Sequence, residues 1–127
     1  MKLLMGLLVV MSALFAELEY VDFDEAMVQA KKENKIVMVM LSKVGCPGCK
    51  YMEGTVFENE AIINTFEEDF IAVHIDIHED EIPMNLKFIG TPTFHFINKD
   101  SKRVGRIDGT ANELEFLKKL REFKKKK

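Results

Sequence analysis

Apolar and polar positions change period several times along the chain, and each change marks an element. Phe23, Ala26, Met27 and Ala30 recur at the spacing of one helix face, which predicts an amphipathic helix from Phe23 to Asn34. Asp22 followed by Glu25 has the pattern of a capping box at its start. Ile36 to Leu41 is an unbroken apolar run of strand length, as expected of a central strand covered on both faces. Helices follow from Cys46 to Thr55 and from Asn59 to Glu68, the second with Ile62, Ile63 and Phe66 on one side. Gly54, Thr55 and Asn59 mark a break between them.

Phe70 to Ile77 reads as a second strand and Ile82 to Phe88 as a short helical turn. Gly90-Thr91-Pro92 punctuates the chain before a strand from Thr93 to Ile97. Asn98-Lys99-Asp100-Ser101 has the composition of a hairpin turn, so Arg103 to Asp108 returns antiparallel. Thr110 with Glu113 predicts a capping box for a last helix packed through Leu114, Leu117, Leu120 and Phe123. The order α-β-α-β-α-β-β-α predicts an α/β fold. Its central mixed sheet is flanked by helices on both faces, with parallel crossovers first and a hairpin last.

The chain has 127 residues, enough for one domain with a single core. Its net charge of −3 and interspersed charges argue against general nucleic-acid binding. Lys124 to Lys127 read as a solvated helix end. At the other end Lys2 precedes the apolar stretch Leu3 to Leu14, which is too short to span a bilayer, and Ala16 is small enough to precede a cleavage site. Residues 1–16 are therefore expected to be a signal peptide and 17–127 the mature domain, exported to the periplasm. An uncleaved membrane anchor is the alternative.

The only two cysteines form Cys46-Pro47-Gly48-Cys49, just after the first apolar strand. This spacing suits a zinc site, a structural staple or a redox pair. A staple across about four residues is worth roughly 2 kcal/mol on a chain-entropy estimate, little for a bond that joins no distant segments. A cysteine opening a helix meets free N–H groups and a partial positive charge, which favour the thiolate. Cys46 is the expected nucleophile, and Cys49, one turn on, the thiol that resolves a mixed disulfide. Gly45 leaves access for a substrate backbone. Pro47 suits the first helical turn, and neither it nor Gly48 carries a side-chain donor for the sulfur. Lys43 and Lys50 are close enough in sequence to favour the thiolate. Met38, Met40 and Met52 read as core filler. His74 and His95 fall on strands expected to be neighbours and read as sheet residues, so no metal ligand set is assigned.

Cys46-Pro47-Gly48-Cys49-Lys50, Ile75-Asp76, Phe88-Ile89-Gly90-Thr91-Pro92-Thr93 and Gly109, in this element order, resemble the thioredoxin fold over about Glu17 to Phe123. The stretch from Cys49 through Thr55-Val56-Phe57 to Asn59 looks most like exported thioredoxin-like thiol–disulfide oxidoreductases of bacteria. The resemblance implies a cis Pro92 beside the cysteines, with the Thr91 backbone pairing with an extended substrate segment. It implies a disulfide reductase or isomerase acting on protein disulfides and thiols, with no cofactor beyond the Cys46–Cys49 pair. A membrane electron-transfer partner and a monomeric state are expected. The chain departs from cytosolic thioredoxins in having no tryptophan, Pro-Gly between the cysteines, and Met40 where a buried acid often stands. With no donor side chain between the cysteines, the reducing direction is favoured. A metal chaperone of copper or haem pathways and a non-enzymatic peptide-binding module are the alternatives on the same fold.

Overall fold

The computed structural model describes residues 17–127, so the expected signal segment lies outside the described residues. Its centre is β1 (Ile36–Ser42), every residue of which is buried. Alternate side chains of a strand point to opposite faces. Val37, Val39 and Leu41 accordingly join one apolar cluster, and Met38 and Met40 the other. An apolar run without polar alternation has no face to offer water, so both sides must be covered.

On the first face lies α1 (Phe23–Glu33), seated through the fully buried Ala26 and Ala30, with Phe23 and Met27 partly buried beside them. Asp22 caps α1 by accepting from the Asp24 N–H; the reciprocal bond from Glu25 expected of a capping box is absent among the described residues. The second face carries α2 (Pro47–Gly54), α3 (Glu60–Asp69) and α4 (Glu113–Phe123). A single 3-10 turn, Val56–Glu58, separates α2 from α3 at the expected break, and Asn59 caps α3. Phe116 fills the centre of this layer, with ring centroids 5.5 Å from Phe57, 5.4 Å from Phe94 and 6.5 Å from Phe96. Truncating a buried phenylalanine of this kind costs about 3–5 kcal/mol.

The strands β2 (Phe70–Asp76), β3 (Thr93–Ile97) and β4 (Arg103–Asp108) complete a sheet of order β2-β1-β3-β4. This is the mixed sheet flanked by helices that the pattern predicts. The topology differs in one respect: only β1–β2 is parallel, and β3 lies antiparallel to β1. A parallel return needs a crossover element lying along the sheet. The segment before β3 supplies only the 3-10 turn Pro83–Asn85, with Met84 and Asn85 in the left-handed region, and reverses direction instead. The Asn98 side chain closes the β3–β4 turn by accepting from the N–H groups of Asp100 and Lys102.

Two further expectations are corrected. His74 and His95 are not neighbours, because β1 runs between them: His74 is opposite Met40 and His95 opposite Val39. Adjacent β1 residues face opposite ways, so the two histidines lie on opposite faces. The capping box of α4 is Asn112 with Glu115, not Thr110 with Glu113. The later start turns Leu114 outward, 77% exposed, and brings Phe116 into the core. Both sequence patterns satisfy a box locally; the phenylalanine cluster selects between them. No helix among the described residues is long and apolar enough to cross a membrane.

Candidate active site

From the end of β1 the chain passes through Lys43, Val44 and Gly45 into α2. Gly45 has φ +75°, in the left-handed region that favours glycine. Cys46 is the N-cap of α2, and its Sγ accepts from the Cys49 N–H at 3.1 Å. Pro47 occupies the first turn, where its missing N–H leaves no bond unmade. The two cysteines form a disulfide with Cα atoms 5.3 Å apart, and both are buried.

The loop before β3 closes over this helix end. The Thr91–Pro92 peptide bond is cis, and the Thr91 hydroxyl donates to Cys46 Sγ at 3.3 Å. Pro92 presents its carbonyl to the Gly109 N–H at 2.8 Å. A Cβ on Gly48 would lie 3.0 Å from both Pro92 Cδ and Thr110 Cγ2, so glycine is what allows α2 to approach the loop. Farther back, His95 Nε2 donates to the Lys87 carbonyl at 2.7 Å, while its Nδ1 is buried with no partner. Burial holds the His95 imidazole below the usual histidine range, an effect the Lys87 bond opposes and nearby Arg106 and Arg103 reinforce. Thr93 ties down the same loop by donating to the Gly90 carbonyl.

The structure thus brings Gly45, Cys46, Pro47, Gly48, Cys49, Thr91 and Pro92 together, although Thr91 is 45 residues from Cys46. Lys50 is exposed and lines the cleft beside the cysteines, and its amine makes no ion pair or hydrogen bond among the described residues. Two apolar side chains on the segments that carry the site face solvent: Val44, two residues before Cys46, is 88% exposed, and Ile89, two residues before Thr91, 93%.

The sequence reading missed two groups. The first is the Thr91 hydroxyl as a donor to sulfur, whose only local signal is a threonine before a proline. The second is Glu53, which lines the cleft with Cys46, Cys49, Lys50, His74 and Asp76. Glu53 Oε1 accepts from the Tyr20 hydroxyl at 3.1 Å and lies 3.3 Å from His74 Nε2. Burial first, and the Glu53 charge second, push the Tyr20 phenol well above its ordinary range, so it remains a donor. Tyr20 reaches this position because residues 20 and 21 attach alongside Ala72 on β2. The one sequence signal for Glu53 is its place one helical turn after Cys49.

Met40 lies fully buried in the same apolar cluster as the cysteines, and no aspartate or glutamate among the described residues is buried. Among those residues no group of three or more histidines, cysteines or acids is placed to hold a metal ion.

Solved structures of known proteins superpose on this fold. A thioredoxin from Thermus thermophilus is 28% identical, superposes with a TM-score of 0.69, and the match covers 84% of this chain and 86% of that one. A candidate disulphide-isomerase from Bacteroides thetaiotaomicron is 27% identical at a TM-score of 0.70, over 83% and 89% of the two chains. In sequence, human spermatogenesis-associated protein 20 is 38% identical over 55 residues, a match spanning 43% of this chain and only 7% of that protein. The model of the thioredoxin-like domain family matches residues 23–124, and the chain belongs to that family.

Proposed function

We propose that the chain is an exported thiol–disulfide oxidoreductase that reduces, and by the same chemistry isomerises, disulfides of periplasmic proteins. The observation that carries this reading is the Cys46–Cys49 disulfide at the N-terminus of α2, with the Thr91–Pro92 step against it. In the reduced protein the Cys46 thiolate attacks a substrate disulfide and expels one substrate thiol. Cys49 then attacks the mixed disulfide, releasing the second thiol and re-forming the Cys46–Cys49 bond. The substrate loses a disulfide and the protein gains one, so two electrons pass to the substrate.

The reducing direction follows from a modest donor set at Cys46: one backbone N–H and one hydroxyl. Stronger thiolate stabilisation would favour the reduced protein and make it an oxidant. A reduction potential near about −270 mV supports the reducing reading, and one near about −120 mV reverses it. A dithiol kept reduced in an oxidising compartment needs an electron source, and a membrane thiol carrier fits that need. Residues 1–16 act as the export signal in this reading, so the protein recovered from a periplasmic extract begins at Glu17.

The decisive experiment is Cys49→Ser. It removes the resolving thiol, so partner proteins accumulate as mixed disulfides on Cys46 that are released by a reductant. The absence of such adducts, with no turnover of a model disulfide by the native protein, would exclude the reading.

A further inference from the structure

The exchange reaction needs a proton acceptor that the core beneath the cysteines does not supply. Cys49 is 3% exposed and must lose its proton before it can attack. Met40 offers no base, and every described acid is at least partly exposed. The titratable groups on the cleft shared with the cysteines are Lys43, Lys50, Glu53, His74 and Asp76. Of these acids only Glu53 lies on the same helix as Cys49, one turn on, where residues i and i+4 share a face. Its Oε1 accepts from the Tyr20 hydroxyl and lies 3.3 Å from His74 Nε2, and the Tyr20 and His74 rings pack with centroids 5.2 Å apart. The other oxygen, Oε2, has no hydrogen-bond partner among the described residues. An acceptor held through one oxygen and free at the other is suited to proton transfer.

We propose that Glu53, oriented by His74 and Tyr20, is the group that takes the proton from Cys49 during resolution, directly or through one water. The proposal rests on the disulfide-exchange reading. In the mixed disulfide, the Cys49 S–H proton passes to Glu53 as the thiolate attacks Cys46 Sγ. The Cys46–Cys49 bond forms, the bond from Cys46 to the substrate sulfur breaks, and the departing thiolate carries the electron pair away. Glu53 then returns the proton to that thiolate or to solvent, which restores its charge for the next cycle. His74 and Tyr20 are positioning residues in this scheme.

The test is stopped-flow reaction of the fully reduced protein with a chromogenic aryl disulfide. Attack by Cys46 releases the first aryl thiolate, and attack by Cys49 on the resulting mixed disulfide releases the second. Glu53→Gln is expected to leave the first phase unchanged and to slow the second by about tenfold or more near neutral pH. The gap should close in the alkaline range, where an ordinary thiol of pKa about 8.5 ionises unaided. His74→Gln and Tyr20→Phe should show smaller gaps that close in the same way. They also carry the test if Glu53→Gln does not fold, as judged by far-ultraviolet circular dichroism.

A second phase in these variants that matches the native protein, or that is slowed equally at every pH, overturns the role of Glu53. Loss of the first phase in the native protein would instead overturn the exchange reading itself.

Discussion

The Thr91 hydroxyl donates a hydrogen bond to Cys46 Sγ at 3.3 Å, across 45 residues of sequence. The contact adds a side-chain donor to a site whose cysteine motif contains none. Once the disulfide is reduced, the same hydroxyl is placed to stabilise a thiolate, and a donor to a charged group is worth more than one to a neutral group.

Thr91→Val keeps the shape and removes the donor. A hydrogen bond to the charged sulfur of about 1.4 kcal/mol corresponds to about one pKa unit, so the midpoint for alkylation of Cys46 should rise by roughly that much. The same loss should make the couple more reducing by about 30 mV. Iodoacetamide alkylation across a pH series measures the midpoint; an unchanged midpoint would show that the hydroxyl does not act on the thiolate.

Val44 lines the cleft of the cysteines, Ile89 lies two residues before Thr91, and both face solvent outside the core. Replacing either with serine should leave reactivity toward a small aryl disulfide intact. Reduction of a protein disulfide should weaken through KM, by roughly fivefold if about 1 kcal/mol of apolar contact is lost. Steady-state kinetics with both substrates separates the two effects. Equal losses with both would place these side chains in the chemistry and not in docking.

Gly48→Ala adds a Cβ 3.0 Å from Pro92 Cδ and Thr110 Cγ2. The first atom belongs to the ring of the cis proline and the second is a side-chain methyl, so α2, the proline loop or Thr110 must give by a few tenths of an ångström. We expect a loss of about 1–3 kcal/mol in urea unfolding, as in other overpacked sites, together with slower exchange. A variant as stable and as fast as the native protein would show that the contact relaxes without cost.

The buried His95 makes stability depend on pH. Its Nε2–H is committed to the Lys87 carbonyl, so a second proton would place a charge on an unpartnered Nδ1, near Arg103 and Arg106 and partly offset by Asp108. In the unfolded chain the ring takes up that proton near its ordinary pKa of about 6.5. In the folded protein it resists, so the unfolded state binds more protons in the interval between the two values. His95 therefore contributes its full stability above about pH 6.5 and loses it as pH falls toward the lower folded value. His95→Gln keeps a donor for Lys87 but cannot titrate. Its stability, measured by urea unfolding across this interval, should lack the native slope; an identical slope would assign the effect to other groups.

Much of this architecture is legible one segment at a time. The unbroken run Ile36 to Leu41 marks a doubly covered strand because no residue in it tolerates water. The Cys46-Pro47 step marks a helix start, since proline suits only the first turn. Asn98 to Ser101 mark a hairpin through local hydrogen bonding that needs no distant partner. In each case neighbours along the chain carry the information.

Pairings across the sheet are a different kind of information. Whether His74 and His95 meet depends on which strand lies between them, and β1 separates them onto opposite faces. Whether α4 begins after Thr110 or Asn112 depends on whether the core accepts Leu114 or Phe116. Sequence by itself determined the order of elements and the redox-type motif, because both rest on local periodicity and on residues adjacent in the chain. Only the tertiary structure decided what stands around the sulfurs. Thr91 and His74 arrive from strands and loops whose register is set by burial of the whole sheet. Their distances from the cysteines, and from Glu53 on α2, follow from that packing and not from any spacing in the chain.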